Sequence, residues 1–215
     1  MTNKFKLLIL DFDGTVGDSR RLITDTMLQT IDALGLETRT REQCARMIGL
    51  PLVRCFTEMI PMTEEMGEKC AATYREFFKQ NNRPGAVTLF PGVADTLQRL
   101  HNRHIHLSFA SSRSHASLAA YVNDLGLSPF ISYLIGADDV HRPKPEAEPV
   151  EVTLQHFGIA PNDALVVGDT KFDILMGHNA GTHTCGVSYG NGSREELEKA
   201  GAEHIIDTFT ALSDL

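Results

Sequence analysis

A chain of 215 residues, of which 42% are hydrophobic and 22% charged, has enough apolar material for the core of one large domain. Its formal net charge of −8 argues against nucleic acids and anionic membranes as partners, because both present phosphates that need basic surfaces. The four cysteines form no CxxC pair, no stretch approaches the ~20 apolar residues of a membrane span, and no signal-peptide pattern precedes Asp11. We therefore expect a cytoplasmic, reduced protein, and these features leave its oligomeric state open.

Short apolar runs alternate with longer amphipathic segments along most of the chain. The apolar runs predict β-strands at 6–10, 105–110, 133–136, 164–167, 182–187 and 204–206. Helical patterns lie between them, at 93–102, 116–125, 147–157 and 193–200, and glycine or proline residues mark their ends. This alternation predicts an α/β fold with right-handed crossovers and a parallel, doubly wound sheet.

The alternation stops between residue 15 and about residue 90, where no buried strand is predicted. Ser19 is expected to cap the first helix of this segment and Gly35 to end it. The helical patterns occupy 19–34, 41–48, 52–60 and 63–80. We therefore predict a core domain of residues 1–15 plus 86–215, with an inserted all-helical cap domain of residues 16–85. The insertion is expected over the carboxyl end of the first strand, where ligands bind in such sheets.

The sequence Asp11-Phe12-Asp13-Gly14-Thr15 follows the first predicted strand directly. Asp11 and Asp13 leave the strand end in the same direction, because side chains two residues apart share a face. Gly14 permits a sharp turn there, and Thr15 adds a hydroxyl. A simple turn would also fit Asp-Gly. However, crowded carboxylates are costly unless they bind a cation or share a proton, so the motif indicates a site.

Polar residues also follow three later strands. Ser111 and Ser112 follow the second strand, where a hydroxyl and a free amide suit a phosphate oxygen. Lys144 follows the third, between two prolines that fix its backbone. Asp169 follows the fourth, with Asp173 one helical turn further on. Taken singly, each also fits a helix cap or a solvated loop, but together they place all these groups at one edge of one sheet.

The charge collected at this edge indicates the chemistry. It comprises four carboxylates and one ammonium group, from Asp11, Asp13, Asp169, Asp173 and Lys144. A divalent cation would offset much of the remaining negative charge, and oxygen ligands favour Mg²⁺. Phosphoryl transfer depends mainly on positioning and charge stabilisation. The pattern therefore predicts a Mg²⁺ site for phosphoryl transfer, with a small phosphorylated metabolite as the partner.

Four features of the sequence resemble, in this order, the four motifs of the haloacid dehalogenase superfamily of phosphatases. They are the DFDGT motif, the strand end at Ser111, Lys144 and the GDTKFD motif. The helical insertion resembles the C1 cap of that superfamily, so the resemblance spans nearly the whole chain. Segments at 18–19, 48–52, 90–93 and 186–195 are similar to the phosphoglycolate phosphatase group. Two departures are Ser112-Arg113, where that group often has Asn-Lys, and Ala147, where proline is frequent.

The resemblance implies chemical roles for the first motif. Asp11 would be the nucleophile that forms an aspartyl-phosphate. Asp13 would protonate the leaving-group oxygen and then deprotonate the hydrolytic water. Mg²⁺ would bind Asp11, the backbone carbonyl of Asp13, and Asp169.

It also implies supporting roles for the remaining motif residues. Asp173 would orient Lys144 or a metal-bound water. Ser111 and the amide of Ser112 would hold phosphoryl oxygens. Thr15 would steady the loop that carries the first motif.

The resemblance favours hydrolysis of phosphoglycolate, while inorganic pyrophosphatase and β-phosphoglucomutase-like phosphomutase share the architecture and stay open. A binding module that senses phosphate or metal, and a phospho-receiver domain, are alternatives of another class. The Asp11 and Asp13 pair argues against the binding module, and the long helical insertion argues against the receiver. A phosphate ester with a carboxylate needs a second cation, for which Arg21 and Arg46 in the cap are candidates. Both would alternatively be solvated charges on helix faces.

Overall fold

A six-stranded parallel sheet lies at the centre of the core domain in the computed structural model, which describes residues 4–215. Its strands are β1 (Leu7–Leu10), β4 (His106–Ala110), β5 (Tyr133–Ile135), β6 (Ala164–Gly168), β7 (His183–Val187) and β8 (His204–Ile206). They are arranged in the order β5-β4-β1-β6-β7-β8. The chain therefore builds one side of the sheet from β1 and then returns to build the other. This reversal makes the carboxyl end of β1 a topological switch point, where ligands bind in such folds.

Both faces of the sheet are covered, which explains why the strands are continuously apolar. Side chains alternate along β1, so Leu8 and Leu10 belong to one core cluster and Leu7 and Ile9 to the other. The covering helices are α5 (Val93–Asn102), α6 (His115–Asp124), α7 (Glu148–Phe157), α8 (Lys171–Asn179) and α9 (Arg194–Lys199). The predicted α/β fold with a doubly wound parallel sheet is confirmed.

Four helices between β1 and β4 pack against one another: α1 (Arg20–Ala33), α2 (Arg41–Ala45), α3 (Leu52–Met59) and α4 (Glu64–Asn81). They share a hydrophobic core of their own, in which Met27, Phe56 and Tyr74 are buried. The hydroxyls of Thr40 and Thr63 accept hydrogen bonds from the first turns of α2 and α4 and so fix where these helices begin.

A short antiparallel ribbon joins this helical segment to the core. It consists of β2 (Gly17–Asp18) and β3 (Thr88–Leu89), which are too short to show a period in the sequence. Ser19 precedes α1 as predicted, but its hydroxyl donates to Asp13 and makes no capping hydrogen bond. The expectation that Ser19 caps α1 was therefore wrong, because a tertiary partner takes its hydroxyl.

Two further expectations concern composition. The four cysteines are buried and unpaired, as the absence of a CxxC pattern suggested. Within residues 4–215, no helix has the length and apolar character needed to cross a bilayer.

Candidate active site

The polar strand ends meet beside the carboxyl end of β1. The amide of Asp11 donates to the carbonyl of Val167 at 2.8 Å, so the first motif continues directly alongside β6. Gly14 has a φ of 92°, and a Cβ there would lie 2.2 Å from Oδ2 of Asp169. Only glycine lets the backbone of the turn approach the second carboxylate so closely.

Lys144 links the first and last motifs. Its Nζ lies 2.5 Å from Oδ1 of Asp11 and 2.6 Å from Oδ1 of Asp173, and its side chain is 2% exposed. Burial would lower the pKa of Lys144, but the two carboxylates outweigh burial and raise it, so the ammonium stays charged. The other oxygen of Asp173 accepts from the amide and hydroxyl of Thr170. Asp173 therefore holds Lys144 in place.

Asp169 is fixed by three donors. The hydroxyl of Thr15 donates to its Oδ1 at 3.2 Å, and the amide and side-chain nitrogen of Asn191 donate to its Oδ2 at 2.6 and 3.0 Å. The side chain of Asn191 also lies 3.3 Å from the carbonyl of Asp13. Thr15 thus contacts Asp169, and its buried hydroxyl does not reach the surface of the site.

The carboxylates of Asp11, Asp169 and Asp173 suit a hard cation. Oxygen atoms from the three residues lie within 4.8 Å of one another and all three residues are buried. Burial raises the pKa of Asp11 well above its usual value, against the pull of Lys144. Burial and the neighbouring Asp173 raise the pKa of Asp169 to about 7. A divalent cation would offset this unbalanced charge, so the donor set fits the predicted metal.

The side chain of Asp13 stands apart from that cluster. Its Oδ1 accepts from Nη2 of Arg113 at 2.6 Å and from the hydroxyl of Ser19. The guanidinium of Arg113 thus balances the charge of Asp13, although in the sequence Arg113 stands out only as a departure from the phosphoglycolate phosphatase pattern. If Asp13 contacts a metal, its backbone carbonyl is the available group.

The two serines after β4 behave differently from each other. Ser111 is buried, and its Oγ accepts from the amide of Arg113 at 3.3 Å. The hydroxyl of Ser112 donates to the carbonyl of Gly49 at 2.6 Å and so connects the core to the loop between α2 and α3. Gly49 has a φ of 107°, and a Cβ there would lie 3.1 Å from Oγ1 of Thr170. This cap loop therefore closes over the strand ends.

A cavity of about 1010 Å³ opens between the cap and the core. Asp13, Ser112 and Arg113 line it from the core, and Leu50 and Arg75 line it from the cap. Its size and mixed lining are typical of a small-molecule site.

The two cap arginines singled out in the sequence do not line this cavity. Arg21 is 92% exposed and pairs with Asp25 at 3.6 Å on the surface of α1. Arg46, at the end of α2, is also exposed. The structure thus does not bring either arginine to the phosphate-binding edge, because α1 and the end of α2 present these positions to solvent.

Arg113 and Asn191 are the site residues that sequence reasoning missed. Arg113 directly follows the two serines at the end of β4, and this position at a strand end was the sequence feature that could have identified it as a site residue. Asn191 lies within the segment at 186–195 that resembles the phosphoglycolate phosphatase group, but nothing in its spacing points to Asp169.

A doubly wound sheet with carboxylates, a buried lysine and serines at its switch point, covered by a helical insertion, defines a phosphatase of the haloacid dehalogenase type. The family model of haloacid dehalogenase-like hydrolases matches residues 8–187, and the chain belongs to this family. The predicted membership and the predicted phosphatase class are confirmed.

Named relatives are similar over almost their whole length. Pyrophosphatase PpaX of Bacillus pumilus is 32% identical over 206 residues, which cover 95% of this chain and 93% of the relative. Phosphoglycolate phosphatase of Photorhabdus laumondii is 26% identical over 212 residues, covering 96% and 90%. A solved haloacid dehalogenase-like hydrolase from Bacteroides fragilis superposes with a TM-score of 0.92 at 23% identity, covering 97% of this chain and 100% of that one.

Proposed function

We propose that this phosphatase hydrolyses a small phosphate monoester through an aspartyl-phosphate on Asp11. The observation that carries the proposal is the position of Asp11 at the switch point, where Lys144 holds one carboxylate oxygen at 2.5 Å. Within residues 4–215, the carboxylate of Asp11 accepts a hydrogen bond at Oδ1 from Lys144 and none at Oδ2. Oδ2 is therefore the atom to attack phosphorus, and Lys144 keeps the carboxylate oriented for that attack.

Asp13 and the serines complete the proposed reaction. Asp13 lines the cavity and would give a proton to the leaving-group oxygen, then remove one from the attacking water. The hydroxyl of Ser111 and the amide of Ser112 would hold phosphoryl oxygens. The hydroxyl of Ser112 donates to the carbonyl of Gly49. The amide of Ser112 has no hydrogen-bond partner within residues 4–215 and is therefore available for a phosphoryl oxygen.

Mg²⁺ is the cofactor we propose, held by Asp11, Asp169 and the carbonyl of Asp13. When bound, it would supply positive charge to the phosphoryl oxygens during transfer. Asp173 would act through Lys144, which donates to its Oδ1 while Thr170 holds its Oδ2. Thr15 and Asn191 would keep Asp169 directed at the cation.

Phosphoglycolate and inorganic pyrophosphate are the candidate substrates. The motif resemblance supports phosphoglycolate, and the 32% identity to a protein named pyrophosphatase PpaX supports pyrophosphate. A phosphomutase is the third candidate and differs in returning the phosphoryl group to an acceptor. We also infer that residues 16–85 form one cap domain, since α1 to α4 share a hydrophobic core, which Leu22 and Phe78 join to the core of the sheet.

Phosphate release from p-nitrophenyl phosphate tests the reaction class. We expect turnover with Mg²⁺, its loss in EDTA, and its loss in Asp11→Asn, because an amide is a poor nucleophile. Asp32→Asn removes an equal charge from an exposed position on α1 and serves as the matched control. Activity of Asp11→Asn within about tenfold of the wild type would refute the assignment of the nucleophile. Release of inorganic phosphate as the main product would favour the hydrolase over the mutase.

A further inference from the structure

A buried arginine faces the proposed substrate cavity from the core. The side chain of Arg113 is only 8% exposed, and that of its partner Asp13 is 12% exposed. Its guanidinium carbon lies 4.5 Å from the ring centre of Tyr121, 5.2 Å from that of Phe78 and 5.5 Å from that of Phe12. Three aromatic rings therefore fix the position of this cation and shield it from water.

The guanidinium has more donors than the surrounding residues use. Nη2 donates to Asp13 at 2.6 Å and Nη1 to Ser117 at 3.2 Å. Nε is buried and has no hydrogen-bond partner within residues 4–215. A guanidinium carries five N–H groups, so the contacts with Asp13, Ser117 and Tyr121 do not use all of them. An unsatisfied buried donor is unfavourable and favours a state in which an added acceptor engages it.

We propose that Arg113 reads a second anionic group on the substrate, a carboxylate or a phosphate carried by the leaving group. The inference rests on the proposed function, in which Asp13 contacts the leaving-group oxygen. A group next to that oxygen reaches Arg113 because Asp13 and Arg113 are in direct contact. In phosphoglycolate one carbon separates the ester oxygen from the carboxylate, and in pyrophosphate the bridging oxygen is bonded to the second phosphate.

The same contact couples recognition to Asp13. In the structure the Asp13 carboxylate occupies Nη2, so an incoming anion competes with it for the guanidinium. Once the anion takes this position, Asp13 is released toward the leaving-group oxygen. A neutral leaving group has no anion to compete for the guanidinium, so the ion pair between Asp13 and Arg113 stays in place.

The other cations near the cavity are less suited to bind the second anionic group of the substrate. Arg75 and Lys79 line the cavity wall formed by α4, but both are exposed. Water and salt weaken an exposed charge far more than a buried one. Arg113 also presents a planar fork that matches a carboxylate or phosphate.

The test compares substrates with and without the second anion. KM and kcat are measured with Mg²⁺ for phosphoglycolate, pyrophosphate and p-nitrophenyl phosphate, using the wild type, Arg113→Gln, Arg113→Lys and the cavity-wall control Arg75→Gln. Loss of a charged hydrogen bond predicts a rise in KM of roughly 10- to 150-fold for phosphoglycolate or pyrophosphate in Arg113→Gln. The KM for p-nitrophenyl phosphate should change by less than about threefold, and Arg113→Lys should recover part of the loss.

The outcomes separate the inference from the proposed function. Equal changes on all three substrates, a fall in kcat alone, or a larger effect of Arg75→Gln would overturn the role of Arg113 as a reader. If Arg113→Gln does not fold, as judged by its thermal melt, the comparison of Arg113→Lys with the wild type decides. Absence of phosphate release by the wild type from every substrate would refute the proposed function. In that case calorimetric titration with phosphoglycolate still decides the inference, because equal affinity of wild type and Arg113→Gln would overturn it.

Discussion

Asp169 makes the stability of the metal-free chain depend on pH in the opposite sense to a typical paired aspartate. Burial, together with Asp173, raises the pKa of Asp169 from its ordinary 3.8 to about 7. Between these pH values the folded state holds a proton that the unfolded state has already released. The free energy of unfolding therefore falls as pH rises through this window and is lowest above pH 7. At 1.36 kcal/mol for each pH unit, the whole fall amounts to roughly 4 kcal/mol.

Urea denaturation in EDTA, from about pH 5 to about pH 8, measures this fall. Asp169→Asn should show a shallower slope than the wild type, because an amide does not titrate and only the raised pKa of Asp11 is left to contribute. An amide nitrogen cannot accept from Thr15 or Asn191, so the variant also loses a hydrogen bond, at about 1–3 kcal/mol. That loss is independent of pH and shifts the curve without changing its slope.

Two additions complete the experiment. Asp32→Asn, an exposed change of the same charge, should retain the wild-type slope. Mg²⁺ should restore stability at high pH in the wild type far more than in Asp169→Asn, because the cation takes over the balance of charge. Parallel curves for wild type and Asp169→Asn in EDTA would refute the reasoning.

Three further predictions concern neighbouring residues. Lys144→Met leaves two buried carboxylates without their ammonium and should cost about 3–5 kcal/mol of stability in urea denaturation; a loss below about 1 kcal/mol would contradict the buried pairing. Asn191→Ala should weaken Mg²⁺ binding by about 10- to 100-fold in calorimetric titration, and unchanged affinity would show that Asn191 does not orient Asp169. Asp13→Asn should keep Mg²⁺ binding but lose single-turnover phosphorylation more severely with alkyl than with nitrophenyl phosphates, whereas equal losses would argue against a proton donor.

The sequence alone determined the strands of the central sheet and the carboxylates and lysine that meet at the carboxyl ends of its strands. Strands of a doubly covered parallel sheet are apolar at nearly every position, so β1, β4 and β6 stand out without any alignment. Parallel strands all end at one edge, and the polar residues that follow them therefore meet. Asp11, Lys144, Asp169 and Asp173 were predicted to lie together on this basis, and the structure brings them together.

Tertiary structure alone decided which partner each side chain takes. Arg113 and Asp13 are 100 positions apart, and Asn191 and Asp169 are 22 apart, distances at which no periodicity links two residues. Ser19 carried the pattern of a helix cap, yet a nearby carboxylate took its hydroxyl. The exposure of Arg21 could not be predicted for a different reason. A helical pattern fixes the spacing of residues along the helix axis, whereas packing decides how the helix is rotated about that axis. In α1 the packing against α4 turns Arg21 to solvent and leaves a residue from the core, Arg113, as the buried cation beside the cavity.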